Sequence, residues 1–396
     1  MTVTLESLHG EIIDTDSHEQ VPLPQWGSVF GKPGELLRQM YQGFYQKMAP
    51  TAEQGLEIFE KMYGGSPADT MEITDEVVWE FKGFGAPGAA DMTRRPTVMD
   101  LQGIRTQLIF PTMGLFAFMA ALGGGLAGFP RATPEEQETA LRAVDAYNEW
   151  AATYTRQFPN RLRIVGIIPS GRSGYTPELL LEETQRQIAM GMKAVLICTG
   201  LPTGGLSPAH PRMDPFYAAL AEANVPLAIH AVAGVGYRAF DDWGRIPGEL
   251  HDVSILGSHH HAEENFVATL VVGGVFERHP NLRLGLIETG SGWLGPLAER
   301  LDVWHPHLTR PIPYTLPRKP SDYINSNVRV SALAHEPVEK FFQRYPNIQD
   351  TFCYSSDYPH PEGLVRSLDN FYERLAPLGD EVVQKFFVDN PKFLCP

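Results

Sequence analysis

Residues 12–19 read IIDTDSHE: two aliphatic residues, then Asp14, Asp16 and His18 at alternate positions. Side chains alternate along a strand, so these three point the same way. A run that begins apolar and ends in carboxylates and an imidazole has the character of a parallel strand whose C-terminal tip carries chemistry. The strand is drawn over Glu11–Asp16, and seven further runs follow it. They are Thr106–Pro111, Leu162–Pro169, Ala194–Thr199, Pro226–His230, Leu282–Glu288, Val328–Ser331 and Phe352–Ser356. Each is short and mostly apolar and stops at turn or polar residues, as strands do.

Segments of helical length lie between most of these runs. Pro134–Phe158 is the clearest, with Thr133 as N-cap and acidic residues in the first turn, where they complement the helix dipole. Pro177–Met190, Pro215–Ala223, Ala262–Phe276, Trp293–Trp304 and Val338–Tyr345 show the same three- and four-residue apolar spacing. Strand and helix alternating eight times predicts an α/β chain closed into a (β/α)8 TIM barrel. An open doubly wound sheet is the competing architecture. It would carry a glycine-rich phosphate loop after the first strand, and none is present.

Residues 1–396 are read as one barrel, with residues 19–105 as a helical cap inserted between strands one and two. A single crossover helix needs far fewer residues. The insert holds Trp26, Phe30, Phe44, Tyr45, Phe59, Tyr63, Trp79, Phe81 and Phe84, enough aromatic surface to cover a pocket or to fasten the insert to the barrel. A second insertion after strand two, the Gly123-Gly124-Gly125 segment, lies at the same barrel end and reads as a mobile lip.

The 32 basic and 47 acidic residues leave a net charge of −15 with no basic patch, which argues against nucleic acid and anionic membranes as partners. Cys198, Cys353 and Cys395 have neither disulfide-framework nor CxxC spacing, so a reducing cytoplasmic setting is expected. The first residues, MTVTLESLHGEIID, lack the basic start and apolar run of a secretory leader. The Leu115–Phe129 run is too short and glycine-rich to span a bilayer of about 30 Å.

Active sites of such barrels lie at the C-terminal strand ends. Strand one ends in Asp14, Asp16 and His18, strand five in His230, strand six in Glu288, and strand eight in Asp357 followed by His360. Buried carboxylates are unfavourable unless paired or bound to metal, so their convergence in one ring points to a metal site. Imidazole and carboxylate together suit a divalent transition metal such as Zn, Fe or Mn.

The segments IIDTDSHE, LAIH, GGVFERHPNLRLGLIETGSGWLGPLAERLD and SSDYPHPEG follow the barrel order. Together they resemble the amidohydrolase superfamily, in the amidohydrolase-related branch that includes aminocarboxymuconate-semialdehyde and resorcylate-type decarboxylases. The resemblance implies a barrel whose ion is held by a strand-one pair, a strand-five His and a strand-eight Asp. Asp16 and His18 occupy the strand-one pair, Asp replacing the first His; His230 and Asp357 match the other two. Asp14 becomes a residue that orients the ligands. Glu288 stands where many relatives have His, either touching metal or orienting a ligand. The bridging Lys of dinuclear relatives has no counterpart at Ile197-Cys198-Thr199, and Lys193 lies at the wrong end of that strand.

One ion is therefore expected, while Glu288, His360 and the run His259-His260-His261 leave room for a second. In this reading Asp16, His18, His230, Asp357, Glu288, His261 and His360 are candidate ligands, and Asp357, Glu288 and His260 candidate catalytic groups. His335 and Glu336 are read as a helix start before Pro337. Arg105, Arg238 and Arg245 are available to hold a substrate carboxylate. The expected activity is hydrolysis, or non-oxidative decarboxylation by a carbon–carbon lyase, of a small organic acid or aromatic molecule. Oxygen chemistry at a dinuclear iron or iron/manganese centre is one alternative. A non-catalytic barrel paired with a catalytic relative, as homo- or hetero-oligomer, is another.

Overall fold

The computed structural model describes residues 3–63, 69–112, 114–124, 131–237, 260–307 and 316–396. Its strands are β1 Ile12–Glu19, β2 Ile104–Pro111, β3 Leu162–Ile164, β4 Gly166–Ile168, β5 Val195–Ile197, β6 Leu227–His230, β7 Leu284–Ile287, β8 Val328–Ser331 and β9 Phe352–Cys353. All neighbouring pairs are parallel, in the orders β1-β2-β3 and β4-β5-β6-β7-β8-β9.

The expected third strand, Leu162–Pro169, is thus two pieces that act as one stave. At the break, the Val165 N–H reaches Ile109 on β2 while the next N–H, of Gly166, turns to Ala194 beside β5. The ring closes where the chain leaving β9 meets β1. Thr15 N–H bonds the Tyr354 carbonyl at 3.1 Å, Asp357 N–H the Asp16 carbonyl at 2.8 Å, and His18 N–H the Tyr358 carbonyl at 2.7 Å. The fold is an α/β barrel of eight staves, as the alternating pattern predicts.

Every strand residue except Arg105 is buried, because helices cover the outside of the parallel sheet and side chains fill its inside. β1 runs on to Glu19, beyond the expected Asp16, since His18 and Glu19 continue the ladder with Phe110 and Pro111. Helix Pro134–Gln157 begins with the expected cap: Thr133 accepts from Glu136 N–H while the Glu136 side chain accepts from Thr133 N–H. The expected helix Ala262–Phe276 is broken into His261–Val272 and Val275–Arg278. Gly274 takes a left-handed φ of 72° there, and a Cβ on Gly273 would lie 2.2 Å from Ala209 Cβ.

The insertion between β1 and β2 is helical: Gly31–Met48, Ala52–Tyr63, Asp75–Glu80 and Arg95–Gln102 are its main helices. Several of its aromatic residues fasten it down. Trp26 is buried and donates to the Val21 carbonyl at 3.1 Å, and Phe30 lies edge-on to Trp26 and to Trp150 of helix Pro134–Gln157. Trp79 is likewise buried. The side chains of Phe59 and Tyr63, and residue Gly125 of the expected lip, lie outside the described residues. No described helix is long and apolar enough to cross a membrane.

Candidate metal centre

Four staves deliver the expected residues to one place at the C-terminal end of the barrel. His18 Nε2, on β1, stands 3.3 Å from Asp16 Oδ1, 3.3 Å from Asp357 Oδ1 and 3.3 Å from His230 Nε2. Glu288, one residue past β7, puts Oε2 2.9 Å from His230 Nε2 and 3.8 Å from His18 Nε2. Two overlapping sets of ligand atoms result, each lying within 4.8 Å of one another: Asp16, His18, His230, Glu288 and His18, Glu288, Asp357, His360. Asp16, His18, His230 and Asp357 are closed off from solvent, whereas the Glu288 side chain is 23% exposed and marks the open side.

The donor set fits a cation. Neither oxygen of Asp16 nor of Asp357 accepts a hydrogen bond, although all four are buried. Unpaired carboxylate oxygens in such a place are unfavourable by several kcal/mol unless a proton or a metal ion balances them. The proton balance of the cluster shows the same strain. Burial, reinforced by the charges of Asp16 and Glu288, pushes the Asp357 carboxyl up to about 8. Burial and the neighbouring His360 and His230 hold His18 well below the usual imidazole range. Burial opposes protonation of His230 as well, but Glu288 and Asp16 lift it to about 10. Glu288 is held below the usual carboxylate range by His230 against the effect of its burial.

Two of these carboxylates sit on left-handed backbone, Glu288 at φ 56° and Asp357 at φ 50°. Non-glycine residues there cost on the order of 1–3 kcal/mol each, and such strain concentrates at functional sites. The surroundings hold both in place. Ser331 Oγ accepts from Glu288 N–H at 2.9 Å. Gly363 presses on the Ser356 carbonyl so closely that a Cβ would lie 2.1 Å from it.

Asp14 faces the same way as Asp16 one pleat deeper and binds strands instead of the cluster. Its carboxylate accepts from Ser356 N–H at 2.9 Å, Ser356 Oγ at 2.6 Å, Gln107 Nε2 at 2.9 Å and Asp16 N–H at 3.2 Å. It thereby joins β1, β2 and the turn that carries Asp357. From the insertion, the buried Arg95 donates to the His18 carbonyl and stacks 5.0 Å from the Tyr358 ring. Glu336, expected as a helix start, instead ties two loops together, accepting from Ser291 N–H, Gly292 N–H and Leu333 N–H.

Other expected residues are placed elsewhere. Neither ligand set contains His260 or His261. His260 stacks on Trp293 at 6.0 Å with its Nε2 3.7 Å from Glu264, and His261 begins the following helix. Arg105 is paired with Glu11 at 3.1 Å near the start of β2, at the opposite barrel end, so it is no candidate for a substrate carboxylate at this site. Arg238, Arg245 and His259 lie outside the described residues.

Sequence reading passed over two nearby groups. Thr112, just beyond β2, places Oγ1 3.0 Å from His18 Nδ1 and 3.1 Å from His360 Nε2. Glu263 is fully buried, takes one hydrogen bond from Thr199 Oγ1 at 3.1 Å and leaves Oε2 without one. Burial pushes its carboxyl up to about 7. Thr112 was open to the same strand-end rule that found His230, had that rule been applied to hydroxyls. Glu263 lies on a helix and carried no such signal.

A family model described as amidohydrolase matches residues 113–394. Among solved structures, an amidohydrolase from Mycobacterium avium subsp. paratuberculosis K-10 is 21% identical, covers 98% of this chain and 99% of its own, and superimposes with a TM-score of 0.64. A 5-carboxyvanillate decarboxylase from Novosphingobium aromaticivorans with bound manganese is 20% identical, with coverage of 98% and 97% and a TM-score of 0.58. A 2,6-dihydroxybenzoate decarboxylase from Rhizobium is 17% identical, with coverage of 97% and 98% and a TM-score of 0.56. No curated protein sequence matches the chain.

Proposed function

The chain belongs to the amidohydrolase family, and on that footing we propose that it is a metal-dependent enzyme that removes a carboxyl group from a small aromatic or related organic acid. The observation that carries this reading is the set of buried carboxylate oxygens on Asp16 and Asp357 without hydrogen-bond partners, converging with His230 on His18 Nε2. Asp16, His18, His230 and Asp357 would hold one divalent ion, of the Zn, Fe or Mn kind. Such an ion, when bound, polarises a substrate oxygen or lowers the pKa of a water.

The remaining chemistry falls to Glu288. When a carboxyl group leaves as carbon dioxide, the electron pair of the broken carbon–carbon bond stays on the ring carbon, which must then gain a proton. Glu288, ionised beside His230, is the cluster's most open carboxylate, so it is the group placed to take a proton from solvent and pass it to that carbon. The solved decarboxylases that share the fold favour carbon–carbon cleavage over hydrolysis. Hydrolysis of an amide or ester would use the same residues, Glu288 then taking the proton of the attacking water.

Elemental analysis of protein purified without added metal, followed by assay against hydroxybenzoic acids and against amide and ester panels, tests the reading. Carbon dioxide release with one ion per chain supports it; hydrolysis without carbon dioxide release refutes the decarboxylase assignment. The second ligand set, which shares His18 and Glu288 with the first, favours a dinuclear iron or iron/manganese oxygenase as the alternative. Two ions per chain together with substrate-dependent oxygen uptake would select it.

A further inference from the structure

The site contains a hydrogen-bonded chain whose direction can be worked out atom by atom. A neutral imidazole has one N–H and one lone pair, and a threonine hydroxyl has a single proton to give. His18 Nε2 sits at the centre of the ligand set, so its lone pair is the one directed at an ion, and the His18 proton resides on Nδ1. Thr112 Oγ1, 3.0 Å away, accepts that proton's hydrogen bond. Its other side-chain partner among the described residues is His360 Nε2 at 3.1 Å. The hydroxyl proton therefore goes to His360 Nε2, which leaves the His360 proton on Nδ1; that nitrogen makes an ion-pair contact of 3.0 Å with Asp357 Oδ1, outside hydrogen-bond geometry. The His18 and His360 rings stack at 3.9 Å and 27°, which fixes both faces of the arrangement.

From this geometry we infer that Thr112 is a positioning residue that sets the tautomers of His18 and His360, linking a strand-one ligand to the strand-eight ligand Asp357. The inference rests on the metal-site reading above and sharpens it. With Nε2 receiving the threonine proton and Nδ1 carrying its own, His360 has no lone pair left for a cation. His360 then faces Asp357 Oδ1 with its Nδ1 proton as a charge contact and not as a fellow ligand, and the second ligand set loses a member. Partners of this kind typically govern metal affinity by 10- to 100-fold.

The test uses the full-length protein loaded with Zn(II). Competition with a chromogenic chelator gives the affinity of wild type, Thr112→Val and Thr112→Ser. Nitrogen-15 spectra of histidine-labelled wild type give the tautomers directly and need no variant. Expected are binding weakened about tenfold or more in T112V, binding within about threefold of wild type in T112S, where the hydroxyl is kept, and a proton on Nδ1 of both His18 and His360. Wild-type-like affinity in T112V overturns the inference. So does a His360 protonated on Nε2, or on both nitrogens. Failure of the wild type to bind Zn(II) at all would instead refute the metal-site reading, so the two failures are distinguishable.

Discussion

Two substitutions at Asp14 should have opposite consequences, although both remove its charge. In Asp14→Ala the N–H groups of Ser356 and Asp16 and the Gln107 amide lose their acceptor, while Ser356 Oγ can turn to the Asp16 carbonyl at 3.4 Å. Three buried donors left unpaired cost about 1–3 kcal/mol each, roughly 6 kcal/mol in all. Against this stands a recovery. Burial raises the Asp14 carboxyl from 3.8 to about 6, so keeping it ionised at pH 7 costs about 3 kcal/mol. The net loss expected for the alanine variant is about 3 kcal/mol. In Asp14→Asn the remaining oxygen keeps both backbone donors. The new NH2 meets Gln107, whose Oε1 has no hydrogen-bond partner and can be turned toward it, and the rotatable hydroxyl of Ser356. Since it sheds the same cost of ionisation and keeps its partners, that variant should be at least as stable as wild type and up to about 3 kcal/mol more stable. Equilibrium urea unfolding of the metal-free proteins at pH 7 measures both. Equal losses in the two variants, or an alanine variant as stable as wild type, would show that the tie between β1, β2 and the Asp357 turn does not work as argued.

Glu263, which belongs to neither ligand set, supplies a pH test. Its folded carboxyl sits at about 7 against an ordinary 4.5, so the folded state holds the proton more tightly and stability falls as pH climbs from 4.5 to 7, then levels. Glu263→Gln should abolish that fall, gaining up to about 3 kcal/mol at pH 8 and little at pH 4; an unchanged pH profile in the variant would count against the burial argument. Asp357→Asn should lose its bound ion on elemental analysis. Glu288→Gln should keep the ion while turnover drops by about 10²–10⁴, and an E288Q protein with full activity would remove Glu288 from the chemistry. Gly363→Ala should lose about 1–3 kcal/mol through overpacking and bind metal more weakly, because the added Cβ would lie 3.0 Å from Asp357 Cβ and 2.1 Å from the Ser356 carbonyl.

Sequence patterns were informative where one local rule acts. Period-two alternation puts Asp16 and His18 on the same side of β1, and the rule that barrel chemistry sits at strand C-termini brings His230, Glu288 and Asp357 to the same end, where the fold gathers them. Capping chemistry placed helix Pro134–Gln157, and apolar spacing helix Pro177–Met190, with ends off by at most one residue. The helix Ala262–Phe276 failed because contact with Ala209, distant in sequence, leaves no room for a side chain at Gly273.

The sequence alone therefore determined the order of the staves and the residue types at their tips, since both follow from periodicity and from the poor fit of charged groups in an apolar run. Tertiary structure decided which tips meet. It engaged Asp14 in a tie between β1, β2 and the Asp357 turn, set Glu288 and Asp357 on left-handed backbone, and placed His260 on Trp293. It also put Thr112 between two imidazoles that are 342 residues apart along the chain, His18 and His360. These outcomes depend on the angle at which each loop leaves the barrel rim, and that angle is fixed by contacts between segments far apart in the chain, which a one-dimensional pattern does not contain.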